Sequence, residues 1–400
     1  MQKSEALPFV LMRGGTSRGV FFRAGSIPGE RAQLSALLLD VMGSPDRRQI
    51  DGLGGADKLT SKVAVIGDPV KAGTDVSYLF AQVGIAVPDV DYGLVCGNLS
   101  AAVGVYAIEE GYVAPVEGVT RVRIHSVNND KIIIAEVPVR DGAPQVDGDF
   151  AIAGVPGTGA PIALDFAAAA GAKTGRLLPF GEPLTQLAVP GLGGIEVSVV
   201  DLGNLVVYVA AETLGIEGTE GPDEIDGDRA LLEKIQAIRR EVAHAVGLGE
   251  DWDRSAVRSV PTLVAVRSPR SYRSYADAKE IPAGAMDIVG RLYGSGSAHR
   301  AFAGGATACT GVACRIPGTL PQRHLSERGR TARRIMIGHP SGTIPVEAEV
   351  EAAGGSVAVK TAKIFRTARR IAEGRVYLKR RLAALEKQPL ARERAVASMR

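Results

Sequence analysis

The sequence predicts an α+β fold made of two similar β-rich halves, each built around a helix, with a cleft between them. Three observations lead there. The chain of 400 residues is too long for one ordinary core. A series of strand–turn–strand, helix, strand and hairpin runs through the first half and is repeated in the second. In each half a run of small residues bearing a cysteine leads into a helix. Hydrophobic residues at 46% with 23% charged suit a globular protein, and 49 Gly and 22 Pro supply many turns.

Taken in order, "LPFVLMRGGTSRGVFFR" over 7–23 reads as two strands around a Gly-Gly turn. "ERAQLSALLLDVMG" over 30–43 has apolar residues at helical spacing and stops at Gly43. A long glycine-bearing loop precedes strands at 62–66 and 76–86, and a helix runs from about Leu99 to Glu110, stopped by Gly111. "TRVRIHSVNNDKIIIAEVPVRDG" then reads as a hairpin around "SVNND". In the second half, residues 193–215 match the opening strand–turn–strand unit, and a helix follows at 229–247. A strand at 262–268 comes next, and "GGATACTGVACRIPG" places a small-residue turn before a helix. "RRIMIGHPSGTIPVEAEVEAAGG" supplies the matching hairpin. The period of roughly 200 residues is too long for a solenoid. The expected division is 1–185 and 186–385, with a basic tail at 386–400.

The net charge of +3 is unevenly spread: residues 366–400 hold 11 Lys/Arg against 3 Asp/Glu. A nucleic-acid or membrane footprint is one reading of that run. A terminal helix, "VYLKRRLAALEKQ", with Val376, Leu382 and Leu385 inward and the charges solvated, is preferred, because no aromatic residue interleaves beyond Tyr377. Neither nucleic acid nor membrane is therefore expected as a partner. Cysteines at 96, 309 and 314 form no CxxC pair and suit a reducing compartment. With no signal-like start and no apolar stretch of membrane length, the expectation is a cytoplasmic protein.

Familiar nucleotide and zinc motifs do not occur: there is no GxxxxGK[ST] or GxGxxG, and the five histidines lack metal spacing. No metal site is expected. His339, in "GHPSG", suits capping of its own turn better than catalysis; with Ser341 it stays a candidate for substrate contact. The turns leading into helices say more. A helix N-terminus offers unpaired N–H groups and a positive dipole end, which hold carboxylate or phosphate. Asn98 and Ser100 are candidate caps after Cys96, with Gly97 in the same turn; Thr310 and Gly311 are expected to do the same after Cys309. Two such starts across a cleft would hold a small di- or tricarboxylate. The same field would favour the Cys96 thiolate. Taken singly, a cysteine such as Cys96 is more often a packing residue and a lysine such as Lys62 more often a solvated one.

"MRGGTSRG" at 12–19, "GSPDRRQIDGLGGADKLTSKVAVIG" at 43–67, "CGNLSAAVGVYAIEEG" at 96–111, "GGATACTGVACRIPGT" at 304–319, "GHPSG" at 338–342 and "RTARRI" at 366–371 together resemble the signatures of the PrpF family, from about residue 7 to 380. The resemblance implies a diaminopimelate epimerase-like fold of two pseudo-symmetric, barrel-like halves, each wrapped round a central helix. It also implies a cofactor-independent 1,3-proton shift that moves a C=C bond in a small unsaturated polycarboxylic acid such as methylitaconate, 2-methylaconitate, aconitate or oxalomesaconate. The lysine of "TSK" and the cysteine of "CGN", regarded in the family as the acid–base groups, are Lys62 and Cys96 here. Ser17 of "GGTS", with Thr16 and Arg18 beside it, is linked to the substrate. Departures from the family pattern are Arg18 for Lys, Val95 for Asn and Cys314 for Ala. Arg13, Arg18 and Arg315 are candidate cationic partners, with structural roles preferred. The alternative is a two-cysteine amino-acid epimerase pairing Cys96 with Cys309. A pyridoxal-phosphate enzyme is set aside for want of a phosphate cup near Lys62. No cofactor is expected, and exposed strand edges would admit a homodimer.

Overall fold

A computed structural model of the protein describes residues 5–353 and 356–379. The chain opens with an antiparallel hairpin of β1 (Ala6–Gly14) and β2 (Ser17–Arg23), in register from Val10 opposite Phe21 to Gly14 opposite Ser17. Helix α1 (Arg31–Met42) starts where the Glu30 carboxylate accepts from the N–H groups of Ala32 and Gln33. It stops at left-handed Gly43. Strand β3 (Lys62–Gly67) runs parallel to β2, and β4 (Val76–Val83) returns antiparallel to β3. After α2 (Gly97–Glu109), β5 (Gly118–Ser126) lies parallel to β4, and β6 (Lys131–Arg140) is its hairpin partner. A short strand, β7 (Ile162–Asp165), leads toward the second half.

The second half repeats the pattern. Strands β8 (Gly193–Leu202) and β9 (Asn204–Ala210) form a hairpin, and α3 (Arg229–Ala245) follows. Strand β10 (Thr262–Arg267) is parallel to β9, and β11 (Ile288–Gly294) is antiparallel to β10. After α4 (Gly304–Arg315), β12 (Arg334–His339) lies parallel to β11, with β13 (Gly342–Ala353) as its hairpin partner. Antiparallel, parallel, antiparallel, parallel, antiparallel is thus the pairing in both halves. Helices stand at the same two places in each series. The duplication read from the sequence is a duplication of topology.

The halves also exchange strands. Strand β14 (Ser356–Arg366) pairs with β13 on one side and with β7 on the other, and β7 pairs in turn with β6. Strand β15 (Ala368–Tyr377) then pairs along β1, from Ala6 opposite Tyr377 to Gly14 opposite Ala368, with a bulge at Leu11/Met12. Val376 and Tyr377, expected to begin a terminal helix, therefore end a strand. The rest of that helix, with Leu382 and Leu385, and the basic tail 386–400 lie outside the described residues.

Burial explains which helices are central. Every residue of α2 from Gly97 to Ile108 is buried, and the helix is apolar on all sides, as a helix enclosed by a sheet must be. Helix α4 is buried from Gly304 to Cys314. The two share one core, to which Phe80, Ile124, Ala135, Leu164, Val206, Ile337 and Val346 contribute from both halves. By contrast α3 buries one stripe, Leu231, Ile235, Ile238 and Val242, against Leu205, Val207 and Leu263. Helix α1 does the same with Leu34, Leu37, Leu38 and Val41 against Val63 and Val65. None of the described helices is long and apolar enough to cross a membrane.

Candidate active site

The central helices meet N-terminus to N-terminus. A Cβ added to Gly97 would stand 2.8 Å from the Gly305 nitrogen and 2.9 Å from the Gly304 carbonyl carbon; one added to Gly304 would stand 3.0 Å from the Asn98 nitrogen. Only glycine lets the backbones approach so closely. Each helix start carries roughly half a positive charge and several N–H groups without helical partners. Two such ends set together repel unless something negative lies between or beside them.

At the mouth of α2, Cys96 is itself the N-cap: its Sγ accepts from the Leu99 N–H at 3.5 Å, and the residue is 5% exposed. Asn98 and Ser100, expected as caps, do other work. Ser100 Oγ donates back to the Cys96 carbonyl. Asn98 turns outward to the β1–β2 turn, donating from Nδ2 to Thr16 Oγ1 at 3.0 Å and Ser17 Oγ at 3.4 Å. Its Oδ1 accepts from Arg366 Nε at 2.7 Å. Arg366 also donates from Nη2 to Thr307 Oγ1 in the first turn of α4, at 3.2 Å. One guanidinium therefore links the first turns of both central helices. Arg366 is fully buried and, among the described residues, forms no ion pair. Burial pushes it down to about 10, and only the neighbouring Cys96 opposes that shift.

Lys62 opens β3 and is 6% exposed. Its Nζ donates to Gln82 Oε1 at 2.9 Å and stands 5.1 Å from the centre of the Phe80 ring. Its parallel neighbour is Gly19, whose Cβ position lies 2.8 Å from Leu99 Cδ1 and 3.0 Å from the Lys62 carbonyl oxygen. Leu99, the residue that caps onto Cys96, thus rests on the strand beside Lys62. Lys58 is a second, half-buried lysine, brought down to about 7 by desolvation and partly by Lys62, with Asp226 and Asp57 opposing. Its Nζ donates to the carbonyls of Ser297 (2.8 Å) and Gly294 (3.4 Å) in the second half. His299 is held well below its ordinary value by burial and by the two lysines.

Several of the expected residues are held in contacts of their own. Cys309, Thr310 and Gly311 do not cap a helix, because α4 starts five residues before Cys309, at Gly304, after an Ala303 that gives no side-chain cap. Cys309 Sγ donates to the Val200 carbonyl at 3.4 Å, and burial raises its thiol to about 12. Thr310 Oγ1 is bonded to Tyr208 Oη, and Gly311 packs on Val346. Cys314 is likewise buried, and burial raises it to about 12. Arg315 donates to the carbonyls of Ala348, Gly329, Arg330 and Ala332, and Arg13 to those of Gly15 and Thr367; both are structural. The Arg18 Nε is buried with no partner among the described residues. His339 caps its own turn, Nδ1 accepting from the Ser341 N–H at 3.3 Å, while Ser341 Oγ donates to the Arg300 carbonyl. Burial, with Arg291 and Arg366, lowers His339 to about 3, and its Nε2 is left unpartnered.

Arg366, Thr307, Gln82, Lys58 and His299 belong to the site and were not singled out from the sequence. Their partners are remote in sequence, so spacing carries no signal. For Gln82, an inward position opposite Lys62 in adjoining strands was the one available hint. Among the described residues no group of three His, Cys, Asp or Glu is placed to hold a metal.

Comparison with known proteins bears directly on this geometry. The family model described as PrpF protein matches residues 4–379. The chain belongs to the PrpF family. It is 42% identical to 3-methylitaconate isomerase of Eubacterium barkeri, covering 95% of this chain and 99% of the relative. It is 41% identical to 2-methyl-aconitate isomerase of Shewanella oneidensis (91% and 94%) and 38% identical to 4-oxalomesaconate tautomerase of Pseudomonas putida (94% and 96%). A crystal structure of methylitaconate-delta-isomerase superposes with a TM-score of 0.77 at 41% identity, over 97% of this chain and 98% of that one. A hydroxyproline epimerase from Agrobacterium vitis shares the fold alone, with a TM-score of 0.55 at 13% identity over 96% of this chain and 95% of that one. The PrpF chain thus has the diaminopimelate epimerase-like fold expected from its motifs.

Proposed function

We propose that this chain, an isomerase of the PrpF family, moves a C=C bond by a cofactor-independent 1,3-proton shift in a small unsaturated di- or tricarboxylic acid. The observation that carries the reading is an amine and a thiol on neighbouring elements, beside two helix N-termini and a buried guanidinium with no carboxylate partner. Such a site is short of negative charge, and a polycarboxylate would supply it.

An allylic C–H next to a conjugated carboxylate is a weak acid, so its removal needs a placed base and stabilisation of the dienolate. One of Lys62 and Cys96 takes the proton and the other returns one at the γ-carbon. The N–H groups at the start of α2, with Arg366 behind them, face the charge that spreads into the carboxylate as the proton leaves. Substrate carboxylate contact is assigned to Gly97, Asn98, Ser17, Thr16 and Arg18. The relatives' names and the pattern of "IDGLGGADKLTSKVAVIG" favour methylitaconate, with 2-methylaconitate and oxalomesaconate as the nearest competitors. The three cysteines are free and buried, and the compartment proposed is the cytoplasm.

The two-cysteine epimerase reading loses its second thiol, because Cys309 lies inside α4. The test is an absorbance assay with methylitaconate, 2-methylaconitate, aconitate and oxalomesaconate, run on the wild type and on Lys62→Ala. Turnover of one of these acids, reduced by a factor of about 10³ in the variant, is the expected result. Wild-type turnover by Lys62→Ala would refute the assignment.

A further inference from the structure

Gln82 stands directly opposite Lys62 in the β3–β4 register and is 3% exposed. Its Nε2 donates to the Ser61 carbonyl at 3.0 Å and the Lys58 carbonyl at 3.2 Å. Two carbonyls can face only the amide's NH₂ side, so Oε1 is fixed toward Lys62 Nζ, which can only donate when charged. The acceptor offered to Lys62 is therefore neutral, rigid and buried. No carboxylate forms an ion pair with Lys62 among the described residues; its field overlaps that of Lys58, on which Asp226 and Asp57 also act, and both lysines help keep His299 neutral. Through Lys58, whose Nζ grips the Gly294–Ser297 turn, the same amide ties Lys62 to the second half.

We propose that Gln82 is the positioning residue for Lys62: a locked amide that aims Nζ without a formal charge, so that the proton on it stays transferable. The proposal rests on the reading of Lys62 as a proton carrier. A carboxylate in the same place would hold the ammonium form by charge. A thioether of similar length would hold nothing.

The test uses Gln82→Glu, which changes charge at constant shape, and Gln82→Met, which removes the acceptor. With Gln82→Glu, the limb of the kcat/KM pH profile that reports Lys62 moves by about one unit or more to higher pH, while the other limb stays. With Gln82→Met, kcat falls about 10- to 100-fold with KM within about threefold, and neither limb takes that displacement. A Gln82→Glu profile that superimposes on wild type, or full kcat in Gln82→Met, overturns the proposal. If Gln82→Met does not fold by circular dichroism, the Gln82→Glu profile alone decides. Lys62→Ala separates the two ideas: if it isomerises normally, the reading of Lys62 fails. If it is dead while the Gln82→Glu profile is unmoved, only the role of Gln82 fails.

Discussion

Helices α2 and α4 occupy the same place in the two repeats, yet their first turns differ. At α2 the cap is a thiol, Cys96, with Asn98, Ser17 and Thr16 around it. At α4 the helix begins after Ala303 with no side-chain cap, and its cysteines lie at the fifth and tenth positions beyond Gly304, packed away from the mouth. The backbone of both mouths can hold an anion, but only one can move a proton through a side chain. On the proposed reading the second carrier is Lys62, which comes from a strand. On that reading a symmetric fold gives an asymmetric site, suited to taking a proton from one carbon and returning one to another.

The comparison can be broken most severely at the cysteines. Cys96→Ser should lower kcat by a factor of about 10³, whereas Cys309→Ala should stay within about threefold of wild type in steady-state assays. Equal losses in the two would mean that both mouths carry chemistry. The next effect concerns how close the mouths lie. Gly97→Ala puts a Cβ against the backbone of Gly304 and Gly305 and 3.0 Å from Phe166 Cζ. It should destabilise by about 1–3 kcal/mol in urea titration and weaken substrate binding. A variant as stable as wild type would show that the contact yields freely.

The smallest effects separate the halves by pH. Lys58 in the first half is held near 7 in the fold against an ordinary 10.5, and His339 in the second half near 3 against 6.5. In each case the unfolded chain binds more protons than the folded one between the two values, so stability rises with pH across that window. Lys58→Met should therefore flatten the rise in melting temperature between about pH 7 and 10. His339→Asn should flatten it between about pH 3 and 6.5. An unchanged curve in either variant would remove that group from the account.

Much of this fold is legible locally. Gly43 after an apolar helical run, the "SVNND" and "GHPSG" turns, and the apolar stretch after Cys96 each mark their element without help from the rest of the chain. The last strands are not legible, for a physical reason. Most of β15 is exposed on both faces, so no period-2 apolar pattern survives, and its partner β1 stands at the other end of the chain. The start of α4 was misplaced because Gly304 and Gly305 read as a turn. Burial between the two halves, rather than propensity, makes them helical. At the site, Lys62 and Cys96 could be found from their motifs. Arg366 opens the quoted "RTARRI" segment, but its role could not be read there, since its partner Asn98 lies 268 positions away.

The most direct test is isomerisation in deuterated water followed by NMR and mass analysis of the product. If one group removes a proton and a different group, equilibrated with solvent, supplies another, the first-formed product carries one deuterium at the γ-carbon. Lys62→Ala and Cys96→Ser should each form it about 10³-fold more slowly. Product that keeps the substrate's own hydrogen at the γ-carbon, or normal deuterated product from either variant, would contradict a proton shift divided between the lysine and the thiol.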